Sequence, residues 1–71
     1  MNVAAIGERE RLRGYALAGV RVLEADDPDA VVRAWEQLGD EIGLVLLTEA
    51  ARAALARDLD AGGRLWLALP R

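Results

Sequence analysis

The sequence predicts one parallel α/β domain of βαβαβαβ pattern over residues 1–71. Three observations carry this. Four short apolar runs, each bounded by Gly, Pro or Asp, recur along the chain as strands do. The segments between them run ten to twelve residues and have helical periodicity. Strands joined by helices of that length favour right-handed crossovers, and hence a parallel sheet. At 71 residues the chain has room for a single domain near the lower limit of independent folding. A chain of that size buries only about 60% of the surface it exposes when unfolded.

The first strand is Asn2 to Ile6, ended by Gly7. Glu8 to Ala18 follows as a helix, with Leu12, Tyr15, Ala16 and Gly19 on the inward face and Arg9, Arg11 and Arg13 toward solvent. Val20 to Glu24 is the second strand, bracketed by Gly19 and the turn-forming Asp26-Asp27-Pro28. The second helix, Pro28 to Leu38, has the clearest pattern, because Val31, Ala34, Trp35 and Leu38 fall at i, i+3, i+4 and i+7 and form one apolar stripe. Asp27 suits the N-cap, Pro28 the first helical position and Asp29 the positive helix end, while Gly39 marks the stop. Gly43 to Leu47 is the third strand. The third helix, Glu49 to Asp60, repeats Ala51, Leu55 and Leu59 every four residues, with Thr48 as N-cap and Gly62-Gly63 as a left-handed exit. Leu65 to Leu69 is the last strand. Structural turns are assigned to Gly7, Gly14, Gly19, Gly43 and Pro70.

The simplest arrangement is a three-layer, four-stranded sheet of order 2-1-3-4, the opening part of a flavodoxin-like or receiver-like topology. The first crossover then runs one way and the next two run back, so one helix covers one face and two cover the other. Strands three and four are apolar on both alternations, as strands buried on both sides are. Only Pro70 and Arg71 follow Leu69, which predicts an open apolar strip beside the first helix, suited to a helix from another chain. Candidate interface residues are Leu46, Leu65, Trp66, Leu67, Leu69 and Tyr15. Trp35 is expected in the core. Trp66, at a sheet edge, fits a core role and an interface anchor equally.

Composition narrows the function. Hydrophobic residues make up 54% of the chain, a large share for so small a domain, and this agrees with apolar surface reserved for a partner. The formal charge is −3 and every basic residue is Arg. A net acidic domain lacks the broad basic surface that nucleic acid requires. No apolar run reaches the roughly 18 residues that span a bilayer, and a cytoplasmic location is expected. There is no His, Cys, Ser or Lys, which removes the Ser, Cys and Lys nucleophiles, histidine acid–base work and His/Cys zinc ligation. Asp26, Asp27 and Asp29 cluster at a helix start, where capping accounts for them. No cofactor or metal is expected.

Gly7 lies at the carboxyl end of the sheet, where open α/β domains bind ligands, but the next glycine is Gly14, and the spacing is neither GxGxxG nor a Walker pattern. An anion or nucleotide site on Gly7 and Arg9 is weakened by the glutamates interleaved through Glu8-Arg9-Glu10-Arg11, which suit a solvated, self-paired helix face. A receiver-type phosphoacceptor needs acidic residues after strand one, an Asp ending strand three and a Lys ending strand four. Gly7-Glu8, Leu47-Thr48 and Leu69-Pro70 stand there instead, so phosphotransfer is not expected.

Four segments in order resemble one family. Ile6-Gly7-Glu8-Arg9 followed by Gly14-Tyr15-Ala16-Leu17-Ala18-Gly19-Val20 is similar to an Ile-Gly-Asp turn and a Gly-Phe-x-Leu-x-Gly-hydrophobic segment. Asp27-Pro28 opens the second helix. Ile42-Gly43-Leu44-Val45-Leu46-Leu47-Thr48-Glu49 is similar to an Ile-Gly-hydrophobic-Ile-Thr-Glu segment, and Leu67-Ala68-Leu69-Pro70 to a closing strand that ends in Ile-Pro. Together they resemble the ATP synthase F (14 kDa) subunits of the archaeal/vacuolar-type (A/V-type) rotary ATPases. The resemblance implies a non-catalytic rotor component of the central stalk that docks on the coiled-coil D-subunit, reaches toward the catalytic head, and helps couple ATP hydrolysis or synthesis to proton or sodium transport. Such a component is peripheral to a membrane-bound complex. Members of the family usually continue beyond the closing strand into a C-terminal helix, and the resemblance here covers the docking domain without it. The alternative is a stand-alone α/β adaptor or homodimer that uses the same strip on itself.

Overall fold

The computed structural model describes residues 2–15 and 19–70. The elements are β1 (Asn2–Gly7), α1 (Arg9–Leu12), β2 (Arg21–Glu24), α2 (Pro28–Glu36), β3 (Ile42–Leu47), α3 (Glu49–Ala54), α4 (Ala56–Asp60) and β4 (Trp66–Ala68). The strands form one all-parallel sheet of order β2-β1-β3-β4, the order expected from the crossovers.

Register fixes the two faces, because aligned residues of neighbouring parallel strands share a side. Ala4 and Ile6 of β1 align with Val45 and Leu47 of β3, and Ile6 also aligns with Leu23 of β2. These residues meet Val31, Ala34 and Leu38 beside α2 and Ala51 and Leu55 beside α3 in one core cluster. Ile6, Leu47, Leu55 and Val45 are its largest fully buried side chains. The core therefore lies between the sheet and the α2/α3 layer. Ala5 and Leu12 are also buried but fall outside this cluster. A right-handed β1-to-β2 crossover puts α1 on the opposite face, where both belong.

The starts of α2 and α3 follow the caps read from the sequence. The Asp27 carboxylate accepts from the Ala30 N–H at 2.8 Å, with Pro28 in the first turn. The Thr48 hydroxyl oxygen accepts from the Ala51 N–H at 3.3 Å. Gly62 and Gly63 take φ of +79° and +92°, the left-handed exit expected of them.

Three helical spans differ from expectation. The helix predicted over Glu8 to Ala18 is a single turn, Arg9–Leu12; its last three residues, Ala16 among them, lie outside the described residues. Gly14 and Tyr15 donate to the carbonyls of Arg11 and Leu12, i→i+3 bonds that tighten and close the helix. Gly14 also carries the entropic cost of a glycine in a helix. The span Glu49 to Asp60 is two helices joined at Leu55. That residue sits at φ −102°, ψ 13° and its N–H is shared between the carbonyls of Ala51 and Arg52. The Leu55 side chain at this break is fully buried. The second helix stops at Glu36, and Gly39 does not take a left-handed conformation. Its exit is capped by Arg64, whose guanidinium donates to the carbonyls of Leu38, Gly39 and Ile42 at 3.3–3.4 Å and lies 5.6 Å from the Trp35 ring centroid.

Gly43 is not a turn. It lies inside β3, where the β1 partner moves from Ile42 to Leu44 between Asn2 and Val3, so Gly43 is the extra residue of a bulge. Strand β4 is short and exposed throughout, not buried on both faces as its composition suggested, because it is an edge strand.

Candidate functional site

On the face opposite α2 and α3, register lines up one apolar residue per strand. Val22 aligns with Ala5, Ala5 with Leu46, and Leu46 with Leu67, a row that crosses the whole sheet. Val3 and Leu44 form a parallel pair beside it, and Leu65 and Leu69 fall on the same side of β4 by alternation. Val22 is 42% exposed, Leu67 58% and Leu65 68%. Leu65 and Leu67 are exposed together at the β4 edge beside half-buried Leu46, whereas Val22 stands at the opposite edge beyond the fully buried Ala5, so the β3/β4 side of this face is the part that has the character of an interaction surface.

The candidate interface residues thus separate into three places. Leu46, Leu65 and Leu67 share the open face. Trp66 aligns with Val45 and points to the α2/α3 side, so it does not belong to the row, although it is 37% exposed. Tyr15 lines a cavity at the carboxyl end of the sheet, and Leu69, on the open-face side of β4 by alternation, lines the same cavity. Trp35 is half-buried and packs against the core cluster.

That cavity, of about 350 Å³, is lined by Glu8, Arg11, Tyr15, Thr48, Glu49 and Ala53 among others. It sits beside the carboxyl ends of β1 and β3, parallel neighbours between which the strand order reverses, the place where open α/β sheets usually hold ligands. The buried Thr48 hydroxyl donates to Glu8 Oε1 at 2.5 Å and the Tyr15 hydroxyl donates to the Pro70 carbonyl, so the polar groups there bind one another. Gly7 is required by this closeness, since a Cβ on it would lie 2.2 Å from Thr48 Cγ2. Glu49 pairs with Arg52 at 2.6 Å, an ion pair that holds the guanidinium more firmly protonated than usual. Arg9, the other residue of the weighed anion site, lies 3.8 Å from Glu24, and its backbone N–H donates to Asp26. Carboxylates therefore surround the positions an anion would occupy. Among the described residues no group of three or more acidic side chains is placed to hold a metal ion.

A family model described as ATP synthase (F/14-kDa) subunit matches residues 3–63. The chain belongs to that family. No curated protein and no solved structure matches it. The F/14-kDa subunits are non-catalytic stalk parts of rotary ATPases, which are membrane-associated complexes. Among the described residues no helix is long and apolar enough to cross a membrane. The match takes in β1 to α4 and ends at Gly63, before Arg64 and β4. Three of the four segments that suggested this family lie inside it, and Leu67-Ala68-Leu69-Pro70 lies beyond.

Sequence reasoning missed Val3, Val22 and Leu44 as members of the open face. The period-2 alternation of β1 and β2 carried the signal, and only the pairing register joins those residues to Leu46 and Leu67.

Proposed function

We propose that this F/14-kDa subunit is a rotor part of the central stalk that docks on a long two-helix coiled coil, the D-subunit, and helps couple ATP hydrolysis or synthesis to proton or sodium transport. Family membership together with the apolar row Val22-Ala5-Leu46-Leu67 supports this reading. An amphipathic helix laid along the β3/β4 side of that face covers Leu65 and Leu67 and the exposed part of Leu46, contributing about 25 cal/mol per Å² of apolar surface removed from water. The chain itself performs no bond chemistry in this role. It transmits torque as a rigid body, and the tight core behind the open face suits that.

The test is co-expression with the host's two-helix stalk protein, followed by isolation through a tag on that partner. The expected result is a stoichiometric complex that Leu46→Glu weakens at least about tenfold, because a charge would be buried without a partner. A wild-type chain that stays free beside micromolar coiled-coil partner refutes the proposal.

A further inference from the structure

The two edges of the sheet are unlike. β2 carries Arg21 and Glu24, charges that discourage pairing with another strand, whereas residues 65–70, Leu-Trp-Leu-Ala-Leu-Pro, hold none. The ladder to β3 fixes which backbone groups of β4 are spent. The Val45 N–H donates to the Leu65 carbonyl at 3.1 Å and the Leu69 N–H donates to the Leu47 carbonyl at 2.8 Å. In a parallel pair alternate residues of a strand serve the same neighbour. Leu67, between these two and aligned with Leu46, therefore also serves β3. Trp66 and Ala68 turn their N–H and C=O groups to the open edge.

We infer that β4 is a self-pairing edge: a second copy of this chain adds to it antiparallel, about a two-fold axis at Leu67. In that register Trp66 of each copy faces Ala68 of the other, and each such pair exchanges two N–H···O=C bonds, which satisfies all four outward groups of each strand. A large ring meets a methyl group at both pairs, so the contact is sterically self-complementary on the α2/α3 side. Leu67 meets Leu67 at the axis and Leu65 meets Leu69 beside it, so the apolar rows of the two open faces become continuous. The neighbouring registers are worse. Moving one way sets Trp66 against Trp66, and moving the other sets Trp66 against Pro70, which has no N–H. The occupant is a second copy because the edge is complementary to itself and no charge in residues 65–70 opposes the pairing. This inference is independent of the stalk reading: it uses the edge, and the coiled coil uses the face.

The chain contains no cysteine, which makes the test clean. Directly opposed residues of a non-hydrogen-bonded antiparallel pair have Cα atoms about 4.5 Å apart, within disulfide reach. Leu67→Cys and Val22→Cys, both exposed sites on the same face, are oxidised mildly at equal concentration. Leu67→Cys is expected to cross-link to dimer at least about tenfold faster, since only residue 67 meets its own copy. Sedimentation of the cysteine-free chain is expected to show a weak, concentration-dependent dimer. Ala68→Pro, which removes only an outward N–H, is expected to abolish it, with circular dichroism confirming that the variant folds. Equal cross-linking at the two sites, a wild-type monomer up to millimolar concentration, or a folded Ala68→Pro variant that dimerises as wild type overturns the inference.

Discussion

Replacing Gly7 by Ala tests the junction between β1 and β3. The new Cβ would stand 2.2 Å from Thr48 Cγ2, 2.6 Å from its Oγ1 and 2.9 Å from its Cβ, where contacts between carbon atoms normally lie at about 3.5–4.0 Å. Thr48 has nowhere to go. Its N–H donates to the Ile6 carbonyl at 3.2 Å, its hydroxyl caps α3 and donates to Glu8, and its side chain is buried. Separating the two strands by roughly 1 Å or turning Thr48 out of its rotamer are the ways to relieve the clash, and overpacking of this kind costs about 1–3 kcal/mol. A domain of this size has about 4–10 kcal/mol in all, so the expected fall in melting temperature is roughly 8–16 °C for a loss near 2 kcal/mol. Thermal unfolding followed by tryptophan fluorescence measures it, and urea unfolding gives the free-energy loss, with Trp35 packed against the core as reporter. Thr48→Ala removes the two nearest atoms, so the double variant is expected to lose less than the sum of the singles by about 1 kcal/mol or more. A Gly7→Ala chain within about 0.5 kcal/mol of wild type, or strictly additive singles, refutes the claim that this contact sets the packing.

Other expectations follow from single contacts. Asp27→Ala removes the α2 cap and is expected to cost about 1 kcal/mol, while Asp27→Ser stays near wild type, as read from urea midpoints. Leu55→Ala empties a fully buried site and is expected to cost about 2–5 kcal/mol, enough to leave a substantial unfolded fraction at 37 °C by circular dichroism. Arg64→Lys keeps the charge but loses the planar fork that reaches three carbonyls and stacks on Trp35; the expected loss is about 1 kcal/mol, with a changed emission from Trp35. Gly63→Ala forces an L residue to φ near +92° and is expected to cost about 1–2 kcal/mol by the same unfolding assay.

The parts of the fold that local chemistry determines were readable from the residues. Asp27-Pro28 and Thr48 name their helix starts because a side-chain oxygen and a fixed φ act within three residues. The parallel sheet followed from the lengths of the crossovers, and its order is the simplest doubly wound arrangement. What escaped was set by distant partners. Ala51, Leu55 and Leu59 recur at a spacing that fits one continuous helix, and only the demand of the core on Leu55 breaks it. The apolar composition of residues 65–69 reads the same at a sheet centre as at an edge, since periodicity reports burial potential and not position. Trp66 and Leu67 belong to opposite faces, which alternation alone distinguishes once the register to β3 is known. The clasp of Arg64 on the exit of α2 spans 22–26 residues and leaves no local trace. At the carboxyl end, the absence of reactive residue types was plain from composition, whereas the mutual satisfaction of Glu8 and Thr48 depends on two turns meeting.

The order β2-β1-β3-β4 also governs how the chain is made. The strand at the amino terminus is an inner one, and its second neighbour, β3, ends about 40 residues later. At a synthesis rate of roughly 5–20 residues per second, Val3 to Ile6 waits about 2–8 s with one flank unpaired. During that interval β2 can dock but β3 cannot, which leaves the β3 side of Val3 to Ile6, four apolar residues in a row, as a temporary edge. A nascent chain stalled between α2 and β3 therefore offers a hydrophobic strand to whatever chaperone is near, and release of that chaperone should coincide with the emergence of Leu47.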